Sequence, residues 1–144
     1  MIVPDVNVLV YAYRREAEQH ERYAAWLTGV VAGGDELGLV ESAVTGFVRI
    51  VTNPRIVADA APTGEALRFV KALHDARRVH RLTATDATWA QLESFARTDR
   101  QVRGNLVPDA WLAAMARSHG GRLATADRGF ARFEGLDWFD PAAG

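Results

Sequence analysis

The chain has 144 residues, 49% of them apolar and 24% charged, with a formal net charge of -1. These values suit one folded domain over residues 1–144 and exclude intrinsic disorder and the globally basic footprint of a nucleic-acid binder. Cysteine is absent, which excludes disulfides and thiolate metal sites.

In chain order, IVPDV at residues 2–6 is short, apolar and β-branched, which predicts a strand. NVLVYAYR then starts a helix, and Tyr23, Trp26, Leu27, Val30 and Val31 set the stripe of a second one across 18–31. Gly33-Gly34 ends it. ELGLV predicts a strand, and SAVTGFVRIVTNP a helix that stops before Pro54. Pro62-Thr63 opens the next helix, with Ala66, Leu67, Val70 and Leu73 as its stripe. VHRLTA is a strand. Thr85-Asp86 then caps a helix reaching Arg97, with Trp89, Leu92 and Phe95 expected inward. After the polar linker TDRQVRGN, PDAWLAAMARSHGG carries proline in its first turn and glycine at its end, as a helix should. RLATAD is a strand, RGFARF one or two helical turns, and LDWFD a last short strand.

Strands alternating with helices predict a parallel sheet of four to five strands between two helical layers, a three-layer α/β/α sandwich. Ligands of such sheets bind beyond the carboxyl ends of the strands. Asp5, Glu41 and Asp127 fall at those ends, and Asp109 opens the helix leading into the RLAT strand. Each acid alone reads more readily as a helix cap than as a catalytic group. Together, carboxylates repel unless cations neutralise them, and an oxygen-only set suits Mg²⁺ or Mn²⁺. His20, His74, His80 and His119 have no metal spacing and read as surface or packing residues.

MIVPDVNVLVYA, FVRIVTNPRI, GNLVPDAWLAAMA and LATADRGFARF resemble, in order and spacing, the PIN-domain ribonucleases, and most nearly the VapC-type toxins of bacterial toxin–antitoxin pairs. The resemblance covers nearly the whole chain. It implies a PIN-like α/β/α fold and a metal-dependent endoribonuclease, with tRNA or rRNA as common targets. It also implies Mg²⁺ or Mn²⁺ on Asp5, Glu41, Asp109 and Asp127, with Asn7 and Thr125 as supporting polar groups. Asp5 matches the first acid, followed by Asn7. Asp109 matches the acid opening the D-A-x-L-A helix, and Asp127 the acid of the T-x-D-x-x-F pattern. The family's second acid lies on or just before its third helix. Glu41 takes that place as the only acid between Leu39 and Ala58, and a cap on the helix from Ser42 is its alternative reading.

The resemblance further implies a cognate VapB-type antitoxin, a homodimer and a toxin–antitoxin hetero-oligomer. Tyr11, Tyr13, Tyr23 and Trp26 are equally a groove for the antitoxin or part of the core. Pro4 departs from the pattern and predicts lost pairing or a bulge in the first strand. Arg49, Arg55, Arg103 and Arg128 read as phosphate contacts or as ordinary surface and ion-pair residues. No signal-type segment or membrane-length apolar run is present, so a cytoplasmic protein is expected.

Other classes fit less well. A phosphate-accepting receiver needs a lysine after a late strand, and Lys71 lies mid-helix. A haloacid-type phosphatase needs D-x-D, where this chain has Asn7. PDVNVL lacks the glycines of a dinucleotide turn. A PIN-fold binding module with impaired catalysis is the alternative to the enzyme.

Overall fold

The computed structural model describes residues 1–143. Five parallel strands form one sheet: β1 (Ile2–Pro4), β2 (Leu37–Val40), β3 (Val79–Leu82), β4 (Arg122–Ala124) and β5 (Trp138–Phe139), in the order β3-β2-β1-β4-β5. The helices are α1 (Val6–Tyr13), α2 (His20–Ala32), α3 (Glu41–Val51), α4 (Thr63–Asp75), α5 (Asp86–Thr98) and α6 (Val107–Ser118). Short 3₁₀ turns at Gly104–Leu106 and Arg128–Arg132 precede α6 and follow β4.

Strand alternation divides the core between the two faces of the sheet. Leu37 and Leu39 join Val8, Leu9, Phe47 and Val70 in one buried cluster; Val3, Val40 and Leu123 join Ala110, Ala113 and Phe130 in the other. On the second face Ala110, Ala113, Ala114 and Ala116 of α6 are fully buried, and their small side chains let the helix lie close to the sheet. Gly120 ends α6 in the left-handed region at φ +67°, where a side chain would be strained.

Pro4 does interrupt pairing, on one side only. The Ile2 N–H donates to the Glu36 carbonyl at 2.8 Å, so Ile2 addresses β2. Pro4 addresses the same neighbour and has no N–H to give. The β1–β2 register is accordingly confined to Ile2↔Leu37, while β1–β4 runs through Ile2↔Arg122, Val3↔Leu123 and Pro4↔Ala124. The Asp5 N–H continues that ladder to the Ala124 carbonyl at 2.9 Å.

Two expected core residues lie outside. Trp89 is 61% exposed, its ring 4.7 Å from that of Trp111 on α6, and Leu67 is 51% exposed on α4. The inward positions of α5 go instead to Phe95 and to Thr88, whose hydroxyl bonds the Ser118 hydroxyl at 2.8 Å and accepts from the Thr85 N–H at 3.1 Å. The aromatics of the first two helices pack on the core, with Tyr11, Tyr13 and Trp26 half-buried at its margin. Tyr23 is buried, Tyr11 packs on it, and Tyr13 packs on Phe47 and Phe69. His20 and His119 bond the backbone carbonyls of Tyr11 and Thr83 at 2.8 Å each, which agrees with packing roles. No helix is long and apolar enough to cross a membrane.

Candidate active site

Strand order reverses at β1, because β2 and β3 lie to one side of it and β4 and β5 to the other. A crevice is expected beyond the carboxyl end of β1. There the structure has an open cleft of about 520 Å³ lined by Asp5, Asn7, Asp109 and Asp127, with Ser42, Thr45, Gly46 and Arg49 of α3 as another wall.

Asp5 leaves β1 and caps α1, its Oδ1 accepting from the Val6 N–H at 2.7 Å. Its other oxygen accepts from the Thr125 hydroxyl at 2.8 Å. Thr125 is fully buried, and its hydroxyl also accepts from the Asp127 N–H at 3.0 Å. One threonine thereby links Asp5 to Asp127. Asp127 in turn caps the 3₁₀ turn through the Gly129 N–H at 2.8 Å. A Cβ on Gly129 would stand 2.9 Å from the same carboxylate oxygen, so glycine permits that approach. The supporting role expected of Thr125 thus has a physical form. Thr125→Val leaves a buried carboxylate oxygen and an amide unpaired, and should cost about 1–3 kcal/mol in urea unfolding.

Asp5 is 6% exposed. Burial raises its pKa above the ordinary carboxylate value, against the opposing bonds from Thr125 and Val6, and the Asp127 charge raises it further. Asp109 is raised first by burial, then by Asp5 and Asp127, with Arg132 opposing. Asp109 therefore feels both other acids, and Asp5 feels Asp127. Because both folded pKa values lie above their unfolded ones, the stability linked to these groups is full at acid pH and is lost as pH rises through the folded values.

Glu41 departs from the expectation. It is exposed in the first turn of α3 and lines a separate apolar groove of about 540 Å³ with Leu39, Val44, Val48, Leu67 and Val70. The helix turns about 100° per residue, so the next residue, Ser42, faces the cleft instead. Sequence reasoning passed over Ser42 and Thr45 and left Arg49 undecided. Their signal was present: positions 42, 45 and 49 share one helical face.

An Mg²⁺ or Mn²⁺ ion fits the chemistry of this donor set: three carboxylates lining one cleft, with oxygen donors from each. Among the described residues no group of three or more acidic or histidine side chains stands close enough together to hold a metal ion by itself. Mg²⁺ does not need such a group, since it keeps several waters and takes one or two carboxylates.

The family model for the PIN domain matches residues 2–136. Ribonuclease VapC43 of Mycobacterium tuberculosis is 38% identical over 144 residues, covering 100% of this chain and 97% of its own. Ribonuclease VapC33 of the same organism is 34% identical over 145 residues, covering 98% of each. In fold, VapBC-1 from nontypeable Haemophilus influenzae superposes with a TM-score of 0.72 at 19% identity, over 99% of this chain and 100% of that one. Mycobacterium tuberculosis VapC20, described as a sarcin-ricin loop cleaving toxin, gives 0.64 at 16% identity, over 91% and 93%. With the strand order, the acidic cleft at the reversal point and full-length likeness to VapC ribonucleases in agreement, the chain belongs to the PIN-domain family.

Proposed function

We propose that this protein is a VapC-type toxin, an endoribonuclease that hydrolyses RNA phosphodiester bonds with Mg²⁺ or Mn²⁺ held by Asp5, Asp109 and Asp127. The observation that carries this is the convergence of these three acids on one cleft at the point where strand order reverses. A bound ion would supply Lewis-acid activation of water and neutralise charge on the phosphate. The chain's own residues do the rest. Thr125 orients Asp5 and Asp127, Gly129 holds Asp127 in place, and a cleft carboxylate takes the proton of the attacking water. Water adds to phosphorus, the bond to the 3′ oxygen breaks and that oxygen is protonated, leaving 5′-phosphate and 3′-hydroxyl ends. Asn7 supports from the cleft wall, while Glu41 stands outside the ligand set.

The ribonuclease names of its relatives support RNA as substrate, with tRNA or rRNA as the class to test. Likeness to proteins described as VapBC supports a VapB-type antitoxin as partner; a toxin homodimer inside a toxin–antitoxin hetero-oligomer is part of the same proposal. The apolar groove between α3 and α4, with Leu67 exposed at it, is the better candidate for an antitoxin segment than the aromatics of α1 and α2, which are buried or half-buried against the core.

The deciding experiment incubates total tRNA and rRNA with the purified chain in Mg²⁺, in Mn²⁺ and in EDTA. Metal-dependent cleavage by the wild type, lost in Asp109→Asn, is expected. Equal cleavage in EDTA would remove the metal from the mechanism, and cleavage by neither protein would leave the binding-module reading in its place.

A further inference from the structure

A phosphodiester is an anion, and a cleft walled by three aspartates repels it. The lining residues contain one cation that answers this, Arg49. Arg49 is exposed on the last turn of α3 and forms no ion pair among the described residues. Arg132, in the 3₁₀ turn after Asp127, does not line the cleft. Arg132 is itself engaged with Asp99 at 2.9 Å. Arg49 thus lines the same cleft as the acids without neutralising them, which leaves its guanidinium free for a ligand.

One neighbour on its helical face, Ser42, fits the same purpose, while Thr45 does not. The Ser42 hydroxyl has no hydrogen-bond partner among the described residues and is free to donate. The Thr45 hydroxyl donates back to the Glu41 carbonyl at 3.0 Å, so towards the cleft it can only accept. Gly46 between them brings α3 close to α1, since a Cβ there would stand 3.2 Å from a Val6 methyl.

We propose that Arg49 and Ser42 form the phosphate seat of the cleft, donating to the non-bridging oxygens of the RNA phosphodiester while the carboxylates act from the other wall. This rests on the ribonuclease reading above, which supplies the substrate. Guanidinium suits the task because its fork binds two phosphate oxygens together.

The test measures binding of labelled total tRNA in EDTA, where no hydrolysis competes, and cleavage in Mg²⁺. Arg49→Ala should weaken binding roughly tenfold or more, as loss of a charge-assisted bond does, and lower the salt slope of log K by about one. Arg49→Lys should restore the salt slope but only part of the affinity. Ser42→Ala should have the smaller effect. Thermal denaturation of Arg49→Ala should match the wild type, because the residue is exposed and unpaired. Wild-type affinity and salt slope in Arg49→Ala would overturn the phosphate seat while leaving the ribonuclease reading intact. Binding that depends on Arg49 without any cleavage by the wild type would keep the seat and overturn the enzyme. A wild type that neither binds nor cleaves would overturn both.

Discussion

Asp5→Asn should slow metal-dependent RNA cleavage by about two to four orders of magnitude and at the same time raise the melting temperature of the metal-free protein. The two effects have one cause. Asp5 is buried, and its charge is disfavoured by burial and by Asp127. Asparagine keeps an oxygen for the Val6 N–H and removes the charge, and its NH2 donates to the Thr125 hydroxyl, which can accept it beside the Asp127 N–H. The loss of activity follows because a neutral amide neither holds a divalent cation as a carboxylate does nor accepts a proton from water. The gain in stability follows because the folded state no longer holds an unwelcome anion. The wild type in EDTA should therefore melt at a higher temperature as pH falls through the raised pKa of Asp5, and Asp5→Asn should show a flatter profile over that interval. Adding Mg²⁺ at neutral pH should stabilise the wild type more than the variant. Differential scanning fluorimetry across pH, with and without the metal, reads all of this. Undiminished RNA cleavage by Asp5→Asn would refute the mechanism.

Phe47→Ala should cost about 3–5 kcal/mol, the range for emptying a buried aromatic site. Phe47 is fully buried on α3, 5.3 Å from the Tyr13 ring of α1 and 5.2 Å from the Phe69 ring of α4. Tyr13 and Phe69 also touch, at 5.1 Å, so three helices meet at a three-ring cluster. Removing the central ring opens a cavity that the other two cannot fill without moving their helices. Urea unfolding should show a lower midpoint, and the melting temperature should fall by roughly 10–15 °C for a domain of this size. Phe47 is on the buried side of α3, away from the face that carries Ser42, Thr45 and Arg49. Cleavage per folded molecule, measured well below the new transition, should therefore stay near the wild type. An unchanged urea midpoint would show that the cluster is not where α1, α3 and α4 are held together.

Much of this site could be read from the residues in order. Asp5, Asp109 and Asp127 each sit where a local signal marks a strand end or a helix start, and all three meet in one cleft. Glu41 carried the same local signal and lies elsewhere, because a strand end locates a backbone position and does not say which way the first helical side chain turns. Trp89 failed for a similar reason. Its spacing with Leu92 and Phe95 is helical, yet α5 is covered by α6 along one narrow strip, and that strip is filled by Thr88 and Phe95. Pro4 was legible in the opposite sense: a missing N–H forbids one ladder bond in any context, and only the direction of the loss, towards β2 and not β4, needed the sheet.

The sequence by itself therefore determined the alternation of strands and helices, their order, the family and the three acids, since apolar period, cap chemistry and motif spacing are properties of neighbours along the chain. Tertiary structure alone decided which face of each helix is covered, that Thr125 ties Asp5 to Asp127, that Glu41 belongs to the neighbouring groove, and that Arg49 lines the acidic cleft. Those are relations between segments as far as 120 positions apart, as the Thr125–Asp5 bond is. They are set by how α3 and the β4 turn pack around the end of β1, which no local pattern encodes.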